Sequence, residues 1–350
     1  MATNEMTWIN YSGVLTNVKL NKQFRRVAQP LMKFAQFIDY KEAFGKNAGE
    51  AVNWPKVGNL GSYGGDLTET SLMHESTPNI TWGTATVWER GLSVPWTFKS
   101  ETLSQLDIED ILRSGLVDDS AKVLDGLVER EFADTPLKYE ATATNAGALV
   151  TNGTATATNT GLITAYHVRQ MAFHLKKRNV PGYMKLGGRY AGIFSVAAAD
   201  NLRADITTGL STAGLPNILA NDVGVKILLQ GHLGSLHGVE MVEDSFASMF
   251  NYNPTARTAA SKVANTTGRS TRTFTQATQW TSATECYESY VFGSPAVREV
   301  VAVPVEIRKK IATDYGRSKG IAWYALLGYQ LEWTNADGEA NCRVIHFTAR

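Results

Sequence analysis

The sequence predicts an α+β chain in which a long β ribbon is followed by one long helix and then by further strands. Three observations carry this. Residues 51–98 alternate with period two and hold Trp54, Trp82, Trp88 and Trp96. Residues 107–134 switch to helical spacing. Short β-branched and aromatic runs then fill 287–292, 297–303, 324–333 and 343–347, the composition that suits a half-buried pleated surface.

The chain opens on a basic arm. Residues 6–38 carry Lys19, Lys22, Arg25, Arg26 and Lys33 and no Asp or Glu, a local balance of +5. Val27, Leu31, Phe34 and Ile38 recur at helical spacing around Pro30, so part of the arm is expected to be an amphipathic helix. Its basic side is either a solvated face or a surface for a neighbour or phosphate.

The ribbon starts at Val52 and Trp54 and turns through Gly58, Gly61, Gly64 and Gly65. The return run keeps one parity through Ile80, Trp82, Thr84, Thr86, Trp88, Leu92, Val94, Trp96 and Phe98. That reads as a long hairpin with an irregular, Gly-rich tip. The helix that follows has its stripe at Ile108, Ile111, Leu112, Leu116, Val123, Leu124, Leu127 and Val128. Asp107 is its N-cap, Glu109 and Asp110 complement the dipole, and Pro136 marks the stop. Unbroken, it would be about 40 Å long; Gly115 and Gly126 are the points where it could break.

Residues 140–161 are a low-complexity Ala/Thr/Asn/Gly stretch, expected to be a mobile link. A second amphipathic helix follows at 164–178, then a strand at 190–196, a short helix at 197–205, and strands at 225–229 and 239–242. Residues 253–285 are Thr/Ser/Ala/Asn-rich, with Arg257, Lys262, Arg269 and Arg272 against Glu285 alone, and read as a long loop. The last two strands are expected to pair as a hairpin across 335–338, where Asp337-Gly338 suits a turn.

Chemistry is harder to find. The net charge is +1, and charged residues are 19% of the 350, below the roughly 25% of an ordinary soluble domain. Cys286 and Cys342 form no metal or redox motif, and a disulfide between them stays open. No secretory leader or membrane span is read. Phosphate-loop, dinucleotide and nucleophile-elbow motifs are all missing. His167 and His174 stand seven apart rather than four, and His232 and His237 flank a Gly-Ser turn. Neither pair has the usual spacing and carboxylate of a metal helix. No catalytic, cofactor-binding or metal residue is predicted, so an enzyme is disfavoured and a self-associating structural subunit is favoured.

The ordered motifs resemble one known family. Arg25-Arg26-Val27-Ala28-Gln29-Pro30-Leu31 with Phe34-Ala35-Gln36-Phe37 comes first. Gly49-Glu50-Ala51-Val52-Asn53-Trp54 and Leu67-Thr68-Glu69 with Thr77-Pro78 follow. Asp314-Tyr315-Gly316-Arg317 with Ile321-Ala322-Trp323-Tyr324-Ala325 closes the series. Together, over about 20–347, they resemble a branch of the tailed-phage major capsid proteins, whose fold is shared with encapsulins and herpesvirus capsid floors.

The resemblance implies an N-terminal arm (1–49), an extended β-hairpin loop (50–98) and a peripheral domain with a spine helix (99–189). An axial domain (190–303, with 253–285 as an insertion) and a return to the peripheral domain (304–350) complete it. It implies a shell subunit of a phage virion, assembled in the host cytoplasm without a cofactor or membrane. Its partners would be copies of itself in hexamers and pentamers, double-stranded DNA bound non-specifically, and portal and decoration proteins. With no long helical charged extension in the sequence, a scaffold would be a separate protein or absent. Interface residues implied in the loop are Trp54, Lys56, Tyr63, Leu67, Glu69, Trp82 and Trp88. Arg25, Arg26 and Phe34 are implied in the arm, and Asp314, Arg317 and Trp323 in the C-terminal motif. Some shells of this fold are chained by Lys–Asn bonds; Lys56 has no identifiable acceptor, so no such bond is expected. The rival readings are an adhesin or carbohydrate-binding module and an encapsulin-type compartment.

Overall fold

The computed structural model describes residues 33–43, 49–153 with gaps between 59 and 74, 161–212, 234–244, 249–251 and 285–349. The expected strand at 225–229, His232, Arg25, Arg26, Tyr63, Leu67 and nearly all of 253–285 lie outside the described residues.

In chain order, a 3-10 turn (Phe34–Phe37) leads into β1 (Ile38–Ala43), β2 (Ala51–Val57), β3 (Ile80–Thr86) and β4 (Trp88–Thr97). Helices α1 (Phe98–Leu103) and α2 (Ile108–Ala133) follow, then β5 (Leu137–Ala143) and β6 (Ala146–Val150). Next come α3 (Ala165–Lys177), β7 (Tyr190–Ser195), α4 (Val196–Thr212), β8 (Ser235–Leu236), β9 (Val239–Asp244) and β10 (Met249–Asn251). The chain ends with β11 (Glu285–Phe292), β12 (Val297–Lys309), β13 (Ser318–Leu331) and β14 (Val344–Ala349). Three sheets result. One runs β1-β12-β13-β4, the largest runs β6-β5-β14-β11-β7-β9-β8 with β10 beside β11, and β2-β3 stand alone as a ribbon.

Helix α2 is the brace between the two large sheets. Asp107 Oδ1 accepts the Asp110 amide at 3.2 Å, and Glu109 and Asp110 occupy the first turn, so the N-terminus is capped and its dipole matched. The helix runs through Gly115 and Gly126 without a break. Its first half sets Ile108 and Leu116 against Trp96, Ile321, Trp323 and Leu327, and Trp323 Nε1 donates to Asp119 Oδ2 at 2.8 Å. Its last turns set Val128 and Phe132 against Phe34, Tyr290, Phe292 and Leu331. One helix thus buries its two ends in two different cores. A third core, between the large sheet and α3 and α4, gathers Met171, Leu175, Phe194, Leu202 and Phe347.

Several expectations change. Phe34 and Ile38 do not share a helix: the arm makes one 3-10 turn and then a strand parallel to β12, with Ile38 opposite Val297 and Ala43 opposite Val301. Asp39 fixes that strand by accepting from Ser294 Oγ (3.0 Å), Tyr183 OH (3.1 Å) and the Ala296 amide (2.6 Å). Long-range pairing outweighs the local spacing. Residues 140–150 are not a plain link, because β5 and β6 form an antiparallel pair and β5 also runs parallel to β14; residues 154–160 lie outside the described residues. The helix expected over 197–205 extends to Thr212. β13 and β14 are not a hairpin. β13 is flanked by β12 and β4, and β14 by β11 and β5, so residues 332–343 carry the chain from one sheet to the other.

The ribbon differs too. Its return run splits at Val87: β3 pairs only with β2, whereas β4 joins β13 from Thr97 opposite Ser318 to Trp88 opposite Leu327. Cys342 is a free, buried thiol.

Candidate functional site

The β2–β3 ribbon has two unlike faces. Its strands pair from Ala51 opposite Thr86 to Val57 opposite Ile80. The inner face carries Trp54, Lys56, Gly83 and Ala85, all buried. Trp54 lies opposite Gly83, and a Cβ on Gly83 would come within 2.3 Å of the indole. Glycine there lets the ring lie flat across the partner strand. Beneath it, the Arg298 guanidinium sits 4.4 Å from the Trp54 ring and 4.6 Å from the Tyr40 ring. Arg298 grips Glu332 with a fork, Nε to Oε2 at 2.9 Å and Nη2 to Oε1 at 3.2 Å, and also bonds Glu42. Burial favours the neutral guanidine, but the Glu332 bonds and the Glu42 charge outweigh it and hold Arg298 above its ordinary pKa.

Lys56 is fixed as firmly. Its Nζ meets Asp337 Oδ2 at 2.7 Å, with 2% and 4% of the two side chains exposed. The Trp54 and Trp333 rings lie 5.8 and 5.7 Å from the ammonium, within cation–π range.

The outer face is the reverse. Trp82 is 68% exposed, and Val57 and Ile80 are exposed beside it. At the tip, Leu72 is 93% exposed and Met73 and Glu69 are exposed as well. Trp88, at the start of β4, is 46% exposed. With the inner face filled by the subunit's own body, the outer face is the ribbon's apolar face left open to another molecule.

A second protrusion is the β12–β13 turn. Asp314 (φ 54°) and Tyr315 (φ 51°) both adopt the left-handed region, followed by Gly316, and Ile311 and Tyr315 are fully open to solvent. Non-glycine residues seldom hold that conformation. Asp314 and Arg317 form a 3.5 Å ion pair on the surface.

The predicted residues therefore divide. Trp82, Trp88 and Glu69 lie on open surface, as do Asp314 and Arg317. Trp54 and Lys56 are taken into contacts within the chain, Trp323 lies under α2, and Phe34 packs on Phe132 and Tyr290 at 5.6 and 5.4 Å. For those four the physical reason is the same: each has found its apolar or ionic partner in its own subunit. Sequence reasoning missed Arg298, Asp337, Glu332 and Thr81. Asp337 is legible only as a turn residue, and no local pattern marks the other three, whose partners lie far away in the chain.

The cluster that most resembles catalytic machinery is sealed. Lys138, His346 and Tyr290 are cross-strand neighbours on β5, β14 and β11. Lys138 Nζ lies 3.1 Å from His346 Nδ1 and donates to Ala133 O. His346 Nε2 lies 3.1 Å from Glu288 Oε1, Tyr290 OH donates to Glu288 Oε2 at 3.0 Å, and the imidazole stacks on Tyr290 at 4.9 Å. Burial pushes Lys138 down to about 7 and His346 well below its usual value. All four are buried, closed off from solvent within the sheet. His167 caps α3, accepting the Thr164 amide at Nδ1 (3.1 Å). Among the described residues no group of three or more His, Cys, Asp or Glu is placed to hold a metal. None of their helices is long and apolar enough to cross a membrane.

No known family profile and no curated protein matches this sequence. Solved structures do match. The acid-stable capsid of Helicobacter pylori bacteriophage KHP30 superposes with a TM-score of 0.62 at 13% identity, covering 99% of each chain. The head structure of Helicobacter pylori bacteriophage KHP40 gives 0.63 at 13% identity over 95% of this chain and 96% of the other. The capsid of Cyanophage P-SCSP1u gives 0.62 at 13% identity over 97% and 94%. This chain has the phage-capsid fold. At 13% identity the capsid fold is what is shared. The likeness runs nearly end to end in both chains.

Proposed function

We propose that this protein is a structural subunit of the icosahedral shell of a tailed bacteriophage, enclosing double-stranded DNA, and not an enzyme. The observation that carries the reading is the full-length likeness, in both directions, to capsid and head structures. The outer face of the ribbon supports it. Trp82 offers roughly 150–250 Å² of ring surface, worth about 4–6 kcal/mol at ~25 cal/mol per Å² if fully covered. Association costs about 4–15 kcal/mol, so one such anchor is too little and several per subunit suffice. Val57, Ile80, Trp82 and Trp88, with Glu69, Tyr63 and Leu67 toward the tip, lie against a neighbouring copy. Trp54, Lys56, Phe34 and Trp323 serve the interface from within by holding the surfaces that dock. Arg25 and Arg26 in the arm and Asp314 and Arg317 at the β12–β13 turn are further contacts to a copy or, for the basic arm, to DNA in a salt-dependent way.

Negative-stain imaging of the expressed chain, alone and with its genomic neighbours, tests the reading. Closed shells are expected, and monomers under every condition overturn it. Deleting residues 60–77 is expected to abolish shells. If shells of normal size still close, the tip is not the anchor, though the shell function stands.

A further inference from the structure

A two-stranded ribbon with no third strand is marginal by itself, so the angle of β2–β3 depends on what holds it. Near its root the grip is apolar: Trp54, Ala85 and Val87 pack on Val300. At the next-to-last pair it is ionic. Lys56 and Thr81 are directly opposite each other, and both reach the same carboxylate. Lys56 Nζ takes Asp337 Oδ2, while Thr81 Oγ1 donates to Oδ1 at 2.9 Å. Asp337 is itself pinned from behind: the Thr334 amide (2.9 Å) and hydroxyl (3.1 Å) donate to Oδ2, and Asn341 Nδ2 donates to its carbonyl at 2.7 Å. The carboxylate comes from the crossover between the two large sheets, 281 residues from Lys56.

We propose that Asp337 is a latch that sets where the extended arm leaves the body of the subunit. With the latch closed, the free lever begins at Gly58. With it open, the lever lengthens back to Trp54 and Gly83, and the Trp82 face loses its fixed direction. The latch stands on contacts within one chain; only its consequence for assembly rests on the shell reading above. A neighbour then meets an arm that is already aimed, which lowers the ordering cost of docking.

Hydrogen exchange on the unassembled chain tests this. In Asp337→Asn the amides of Lys56, Gly58 and Thr81, which the register turns toward the partner strand, are expected to exchange at least about 100-fold faster, the scale for a buried ion pair that has lost one partner. Those of β11 and β14 stay unchanged. Lys56→Met and Thr81→Val, which each remove one strand's bond, are expected to rank below it in that order, and they decide the matter if Asp337→Asn does not fold. Equal exchange in wild type and all folded variants overturns the latch. An unlatched chain that still closes normal shells overturns only the consequence for assembly. A chain that forms no shell whether latched or not overturns the shell reading and leaves the latch standing.

Discussion

β3 and β4 are separated by Val87 alone, yet different physics holds them. β4 is paired along its whole length with β13 and turns Trp96 inward beneath α2. β3 has one partner strand, turns Ile80 and Trp82 outward, and is held by the Trp54 indole lying across Gly83 and by the Asp337 carboxylate that bonds Thr81. Both runs carry the same alternating pattern. The pattern announces a strand with two unlike faces; it does not say whether the apolar face is spent inside the subunit or kept for outside.

Four experiments break or sharpen that contrast. Trp323→Ala removes the indole under α2 and is expected to cost about 3–5 kcal/mol, read by urea unfolding of the unassembled chain. A loss below about 1 kcal/mol would show that the helix-covered sheet does not depend on it. Arg298→Met leaves Glu332 and Glu42 without their cation, with an expected cost of about 3 kcal/mol. Protease cleavage in 58–79 should rise in step with that loss, and unchanged cleavage would separate the ribbon from its root.

Acid should act on the ribbon late. Burial raises the Asp337 carboxyl, but bonds from Lys56, Thr334 and Thr81 and the Lys56 charge bring it below 3.8. Because the folded value is depressed, its stabilisation is complete above the unfolded value of 3.8 and lost as pH falls through the folded one. The groups that act on it are Lys56, Thr81 and Thr334; Cys342 beside it, whose thiol is pushed up to about 12 by burial, also feels Arg178 and Glu339. Protection of the Lys56 and Gly58 amides, corrected for intrinsic exchange, should be flat from pH 7 to 5; a drop in that interval contradicts the ion pair. The smallest effect on folding belongs to Trp82→Ser, within about 0.5 kcal/mol for the lone chain. The same variant should fail to form shells, and normal shells would remove Trp82 from the docking face.

Much of the fold is legible in the sequence where the cause is local. The α2 helix follows from Asp107, its acidic first turn and its spacing of three and four, and both Gly115 and Gly126 are absorbed because packing at each end holds the rod. Strand existence is legible at 190–195, 239–244 and 297–309, as is the alternation of the ribbon. Pairing is not. Asp337-Gly338 does make a turn, with Gly338 at φ 89°, but the turn steers the chain between sheets instead of closing a hairpin. The arm's spacing of Phe34 and Ile38 fits a helix equally well until β12 claims Ile38. For the candidate site the limit is sharper. Trp54 and Trp82 look equivalent in the sequence, and only Gly83, Arg298 and Asp337 decide that one is structure and the other surface.

The unbroken α2 helix also constrains how the subunit can bend. Its 26 residues form a rod of about 39 Å, with one end locked into the sheet core around Trp323 and the other into the core around Phe292. The two sheets cannot pivot against each other without bending that rod. On the shell reading proposed above, a lattice that places identical copies at sites of different curvature must therefore take up the strain elsewhere than in the angle between these two sheets.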